Sequence, residues 1–200
     1  MALANPTLPT LKVVLVEDDS TMRQFLRETL EKLGHEVVGE ASNGTDMVRT
    51  VLALEPDVVV FDIHLPHMDG LQALATIYKE RVVAAVAITA DRDQDLVRRA
   101  LEEHVLAYLL KPVEEYQLAP ALLVAYARFE ELRKLSTENQ NLQQNLQNRK
   151  IIERAKGVLM KRHRWSEADA FRRLQRGAMN RRMSMIDIAQ MILNGQQVDL

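Results

Sequence analysis

The feature that most constrains this chain is an alternation of short β-branched, apolar runs with amphipathic stretches through residues 11–128. Residues 11–16, 36–38, 58–61, 82–88 and 106–110 read as strands. Several are apolar without alternation, the pattern of strands covered on both faces of a parallel sheet. Helical patterns lie between them. In residues 21–33, Met22, Phe25, Leu26, Leu30 and Leu33 share a face and Gly34 supplies the stop. Residues 45–54, 71–79 and 93–102 and the segment after Pro120 follow the same pattern, with Pro120 suited to a first helical turn. The expected fold is α/β, a doubly wound five-stranded parallel sheet. Sites in such sheets lie beyond the carboxyl ends of the strands.

Past residue 130 the strand signal ends. Leu132, Leu135, Asn139, Leu142 and Leu146 repeat at 3-4-3-4 spacing among polar residues, the seam of a short coiled coil. Asn139 at such a position costs stability but favours one register and a dimer. The competing reading is a solvated helical linker. Three helices are then expected: residues 151–162, a second capped by Ser166, and a third capped by Ser184 that ends near Asn194-Gly195. Their apolar faces are Ile152, Ala155 and Leu159; Ala170, Phe171, Leu174 and Ala178; and Ile188, Ala189, Ile192 and Leu193. Gly157 is expected to permit a close helix approach.

A formal charge of −2 conceals a split: from Arg149 onward there are 12 Lys and Arg against 5 Asp and Glu, so that end carries +7 and the rest −9. Two modules with different partners are expected, the basic one suited to a polyanion. With no cysteine in the chain, disulfide frameworks, thiolate metal sites and a cysteine nucleophile are excluded. The apolar run at 82–88 is far short of the roughly 20 residues that span a bilayer. Residues 1–12 lack a basic start and an apolar stretch, so no secretory signal is expected. The expectation is a soluble cytoplasmic protein without a membrane partner.

The carboxylates carry the chemistry. Glu17, Asp18 and Asp19 follow the first strand, Asp62 ends the third, Thr89 ends the fourth, and Lys111 follows the fifth ahead of Pro112. All fall on the carboxyl edge of the expected sheet. Like charges gathered there repel unless a cation joins them. Oxygen ligands with open positions suit Mg²⁺. An aspartate beside a metal is also a nucleophile toward phosphorus, and a lysine neutralises the oxygens during transfer.

The motifs Val14-Leu15-Val16-Glu17-Asp18-Asp19, the run from Asp57 to Gly70, Ala87-Ile88-Thr89-Ala90 and Tyr108-Leu109-Leu110-Lys111-Pro112 resemble the receiver domain of two-component response regulators over residues 11–128. The resemblance implies that Asp62 is the phosphoacceptor. It also implies that Asp18, Asp62, Glu17 through water and the His64 backbone carbonyl form the Mg²⁺ site. Lys111 matches the lysine that contacts the phosphoryl group, Thr89 the switch hydroxyl and Tyr108 the switch aromatic. A sensor histidine kinase is the implied donor. Glu102–Ala107 departs from the pattern, lacking the Gly-containing turn common there.

Arg149-Lys150-Ile151-Ile152-Glu153-Arg154-Ala155-Lys156-Gly157-Val158-Leu159-Met160, with the helices that follow, resembles the ANTAR output domain of AmiR- and NasR-type antitermination regulators over residues 136–196, overlapping a coiled-coil linker at 129–148. The resemblance implies binding to RNA hairpins in leader transcripts, and so transcription antitermination rather than enzymatic output. Candidate RNA contacts are Arg149, Lys150, Lys156, Lys161, Arg162, Arg164, Arg172, Arg173, Arg176, Arg181 and Arg182. Trp165 and Phe171 are expected to pack in the core rather than stack on bases. A DNA-binding output is the rival, but a helix-turn-helix needs a recognition helix after residues 184–191, where only a short, Gly-containing end remains. A protein-interaction output is the second rival. A homodimer through the leucine seam is expected, at least when active.

Overall fold

The computed structural model describes residues 9–196 and 198. The expectation of no secretory signal rests mainly on residues 1–8, outside the described residues, as do most of the residues after 196. The chain divides into two compact units, Met1–Arg133 and Lys134–Leu200.

In the first unit β1 (Lys12–Val16), β2 (Glu36–Ala41), β3 (Val58–Asp62), β4 (Ala84–Thr89) and β5 (Ala107–Leu110) form one sheet. Their order is β2-β1-β3-β4-β5 and all pairs are parallel. The sheet is wound on both sides. On one face α2 (Gly44–Leu54), α3 (Gly70–Tyr78) and α4 (Gln94–Glu102) set Met47, Val51, Leu71, Leu74, Ile77, Leu96 and Ala100 against Val14, Val59, Phe61 and Ala85. On the other, α1 (Ser20–Lys32) and the start of α5 (Glu115–His163) set Leu26, Leu30, Leu118, Leu122 and Ala125 against Leu15, Val60, Val86 and Ile88. β3 and β4 are buried at every residue, as their unbroken apolar runs require.

Short polar side chains fix where the helices start. Asp19, Asn43, Asp69 and Asp93 each accept a hydrogen bond from a backbone N–H in the first turn of α1, α2, α3 and α4. The turn before β5 has no glycine; His104 takes the left-handed conformation there, φ 59°.

Two expectations about the helices of this first unit need correction. Phe25 lies on the predicted core face of α1 but is 40% exposed. The last receiver helix starts at Glu115, before Pro120, and Pro120 stands inside it. The proline removes one backbone donor. The helix survives because Leu118, Ala121, Leu122 and Ala125 bury one face on the sheet, and because Tyr116, whose carbonyl loses that donor, is 72% exposed to water.

The second unit holds the rest of α5, then α6 (Glu167–Arg181) and α7 (Met185–Leu193). Ser166 caps α6, and Ser184 with Asp187 forms a full capping box on α7. Ala155, Leu159, Ala170, Leu174, Ala178, Ile188, Ala189 and Ile192 make the core. Phe171, predicted in it, is 40% exposed. Gly157 does not serve a close approach: a Cβ there would meet nothing within 4 Å. No helix is long and apolar enough to cross a membrane among the described residues.

Candidate functional site

The carboxyl ends of β1 and β3 lie side by side where the sheet order reverses, the place this topology reserves for ligands. Carboxylate oxygens of Glu17, Asp18 and Asp62 lie within 4.8 Å of one another. Glu17 is fully buried and Asp62 nearly so, while Asp18 is exposed. Lys111 reaches in from the end of β5, donating to Asp62 Oδ2 at 2.5 Å and Glu17 Oε1 at 2.8 Å. Asp19 stands apart from the cluster as the cap of α1, accepting from the Met22 N–H at 2.7 Å.

The electrostatics follow from burial. Desolvation pushes the Glu17 carboxyl above its ordinary range, and the Lys111 ammonium offsets this only in part. Burial pulls Lys111 down, but its bonds to Asp62 and Glu17 outweigh that and hold the ammonium above its ordinary value. Glu17 Oε2 is buried and has no hydrogen-bond partner. An anionic, oxygen-only cluster with one orphaned buried acceptor fits a hard divalent cation such as Mg²⁺.

The loops over the cluster are tied together. The His64 N–H donates to Asp62 Oδ1 at 3.0 Å, and the His64 ring lies 3.5 Å from the Asp91 carboxylate. Thr89 is fully buried and its Oγ accepts from the Asp91 N–H at 3.1 Å. The Tyr108 hydroxyl donates to the Asp91 carbonyl at 3.1 Å. The Lys111 N–H donates to the Thr89 carbonyl at 2.7 Å, and the Lys111-Pro112 peptide is cis. Gly70 lets the loop after β3 close: a Cβ there would stand 2.3 Å from the Asp62 carbonyl and 2.7 Å from the Phe61 ring.

In the second unit Arg149, Lys150, Lys161, Arg162, Arg164, Arg172, Arg173, Arg176, Arg181 and Arg182 are all exposed. Lys156 differs. Its side chain is only 7% exposed, and its ammonium is held at 2.8 Å by both Glu153 and Glu167. The structure thus places it inside the helix packing, away from the exposed cations. Among the described residues no helix follows α7.

Comparison with known proteins agrees with both units. The model of the response regulator receiver domain matches residues 13–123, and that of the ANTAR domain matches residues 140–193. The transcriptional regulatory protein PdtaR of Mycobacterium tuberculosis is 39% identical over 182 residues, covering 91% of this chain and 89% of PdtaR. The chain belongs to the response regulators with an ANTAR output domain. The chemotaxis protein CheY of Thermotoga maritima is 33% identical over 56% of this chain and 93% of its own length. Among solved structures, the receiver domain of a modulated diguanylate cyclase from Desulfovibrio desulfuricans G20 superposes with a TM-score of 0.56 at 30% identity, covering 60% of this chain and 96% of that one.

This response regulator is therefore a receiver joined to an RNA-binding antitermination module. Its structure also brings two residues to the site that sequence reasoning passed over. Asp91 joins His64, Thr89 and Tyr108; its one signal was a carboxylate two places after Thr89. Arg23 donates to the Glu17 carbonyl at 2.5 Å and pairs with Glu40 at 3.2 Å, fastening the acidic loop to α1 and β2. Nothing in the amphipathic pattern of α1 set Arg23 apart.

Proposed function

We propose that this response regulator is switched by phosphorylation of Asp62 and, in its active form, binds RNA hairpins in leader transcripts as a cytoplasmic dimer. The observation that carries this reading is the gathering of Glu17, Asp18, Asp62 and Lys111 at one sheet edge. A sensor histidine kinase is the donor class that fits. An Asp62 carboxylate oxygen forms the bond to phosphorus while the bond from phosphorus to the kinase histidine nitrogen breaks. The imidazole leaves with that electron pair and takes a proton from solvent. Glu17, Asp18, Asp62 and the His64 carbonyl would hold Mg²⁺, which neutralises phosphoryl oxygens when bound. Lys111 stands beside Asp62 to take up the added charge.

The new charge biases the contacts around it. Lys111 divides its bonds between Glu17 and Asp62, and a phosphoryl group on Asp62 competes for the ammonium. Thr89 and Tyr108 are bound to Asp91 at the mouth of the site, so their release would remodel that loop. On α5, Leu132, Leu135, Leu142 and Leu146 are 54%, 56%, 65% and 61% exposed, a leucine ridge whose partner is a second copy. The exposed cations of the output domain supply phosphate contacts.

Hairpin RNA and duplex DNA of equal length, titrated into the full chain with and without a small phosphodonor and Mg²⁺, test the reading. RNA should win the competition, and phosphodonor should tighten its binding. Preference for duplex DNA would contradict it, and binding of neither would favour a protein-interaction output.

A further inference from the structure

We propose that His163, Trp165 and Arg173 form a stacking subsite for an unpaired base of the RNA loop, an assignment that rests on the RNA-hairpin reading above. The His163 and Trp165 rings stack with centroids 4.3 Å apart and planes 17° from parallel. The Arg173 guanidinium carbon lies 4.3 Å from the centroid of the Trp165 ring. Three planar groups are thus gathered in one place, one from the end of α5, one from the connection and one from the second turn of α6.

The cluster is anchored on one side and open on the other. Trp165 is half-buried and packs on the three-helix core, while His163 and Arg173 are exposed. The connection is held in an unfavourable conformation: Arg164 adopts a left-handed φ of 60°, which an L side chain takes only at a cost of about 1 kcal/mol. That reversal separates His163 from Trp165 by a single residue yet leaves their rings face to face. Left-handed caps of this kind also end α2 at Glu55 and α6 at Arg182, so the turn positions the rings and does not by itself mark a site.

The surrounding charge selects the ligand class. Residues 161–166 contain Lys161, Arg162 and Arg164 and no carboxylate. Of the carboxylates that follow, Glu167 pairs with Lys156 at 2.8 Å, and Asp169 accepts from Ser166 and Arg172 at 2.6 and 2.7 Å while also lying within the charge field of Arg173. A cationic rim around stacked planes is the chemistry that binds single-stranded nucleotides: phosphates meet the cations, and a base adds its π face to the stack. A duplex, with its bases already stacked, offers no free plane. In this reading Arg173 serves the base stack, and the other exposed arginines and lysines serve phosphates.

Trp165 is the only tryptophan in the chain, so its emission reports this subsite directly. The probe is the tightest-binding hairpin from a loop-randomised RNA pool, titrated into the full-length protein with affinity read by anisotropy and Trp165 by fluorescence. The hairpin should quench Trp165 with the same midpoint as the anisotropy change. Arg173→Lys keeps the charge but loses the plane; it should weaken hairpin binding about tenfold while leaving the salt dependence unchanged. Arg176→Lys should change affinity by less than about twofold. One abasic substitution in the loop should weaken wild type by the same factor as Arg173→Lys and have little further effect in that variant. Tight hairpin binding with unaltered Trp165 emission and wild-type affinity in Arg173→Lys would overturn the subsite and leave RNA recognition standing. No hairpin binding at all would overturn both.

Discussion

Lys111 Nζ stands 2.5 Å from Asp62 Oδ2 and 2.8 Å from Glu17 Oε1. One ammonium therefore bridges two carboxylates that are 7% and 1% exposed and offsets one of their two charges. Without it they would face each other in a poorly hydrated pocket, where like charges repel. Lys111→Met should destabilise the receiver by about 3 kcal/mol in chelator, the low end for breaking a buried pair because Lys111 is partly open to water. Saturating Mg²⁺ should restore much of the loss. Urea unfolding of both proteins, with EDTA and with Mg²⁺, checks this; a loss indifferent to Mg²⁺ would separate the lysine from the metal site.

His35 gives the receiver a pH dependence of its own. The residue is buried, its Nδ1 accepts from the Leu11 N–H at 3.4 Å, and burial lowers its pKa below 6.5. The folded state then binds fewer protons than the unfolded state in this window. Its contribution is present above pH 6.5 and is lost as pH falls through 6.5 toward the lowered folded-state value. Unfolding free energy measured between pH 7.5 and pH 5.5 should fall with a slope of up to about one proton. In His35→Gln that component should vanish.

Much of this was readable from sequence because local rules and tertiary packing agreed. The unbroken apolar runs of β3 and β4 announced buried parallel strands, and Ser166 and Ser184 marked helix starts that the structure keeps. Disagreement arose where a contact distant in sequence decided the outcome. Pro120 reads as a helix start, yet Leu118 and Leu122 gain enough from the sheet to carry the helix through it. Lys156 reads as one more surface cation, yet Glu153 and Glu167 draw it inward. The gathering of Glu17, Asp62 and Lys111 followed from their places at strand ends. The roles of Arg23 and Asp91 depend on side-chain reach, which periodicity does not encode.

Lys156 separates packing from RNA binding. Its charge is already matched by two carboxylates, so Lys156→Met should leave hairpin affinity within about twofold of wild type and the salt dependence unchanged. Arg172→Glu and Arg176→Glu remove exposed cations. Each should weaken binding and reduce the log–log salt slope by about 0.7 to 0.9 for every phosphate that the variant no longer neutralises. Filter binding across a salt series distinguishes the two classes; a flattened slope in Lys156→Met would return that residue to the RNA surface.

The leucine ridge makes the oligomeric state testable. Leu135 and Leu142 sit one heptad apart and are 56% and 65% exposed on the single chain. Placing glutamate at both sets like charges against each other across a parallel pair. Sedimentation equilibrium of the phosphorylated protein should show a dimer for wild type and a monomer for Leu135→Glu/Leu142→Glu, with the helical content of both unchanged. A monomeric wild type would make the ridge a solvated linker.

Labelling of Asp62 tests phosphotransfer at the sheet edge most directly. The full-length protein, incubated with a radiolabelled small phosphodonor, should take up a hydroxylamine-labile label with Mg²⁺ and none with EDTA. Asp62→Asn should take up none in either condition. Wild-type labelling of Asp62→Asn, or labelling of wild type that ignores Mg²⁺, would contradict Asp62 as the Mg²⁺-dependent phosphoacceptor.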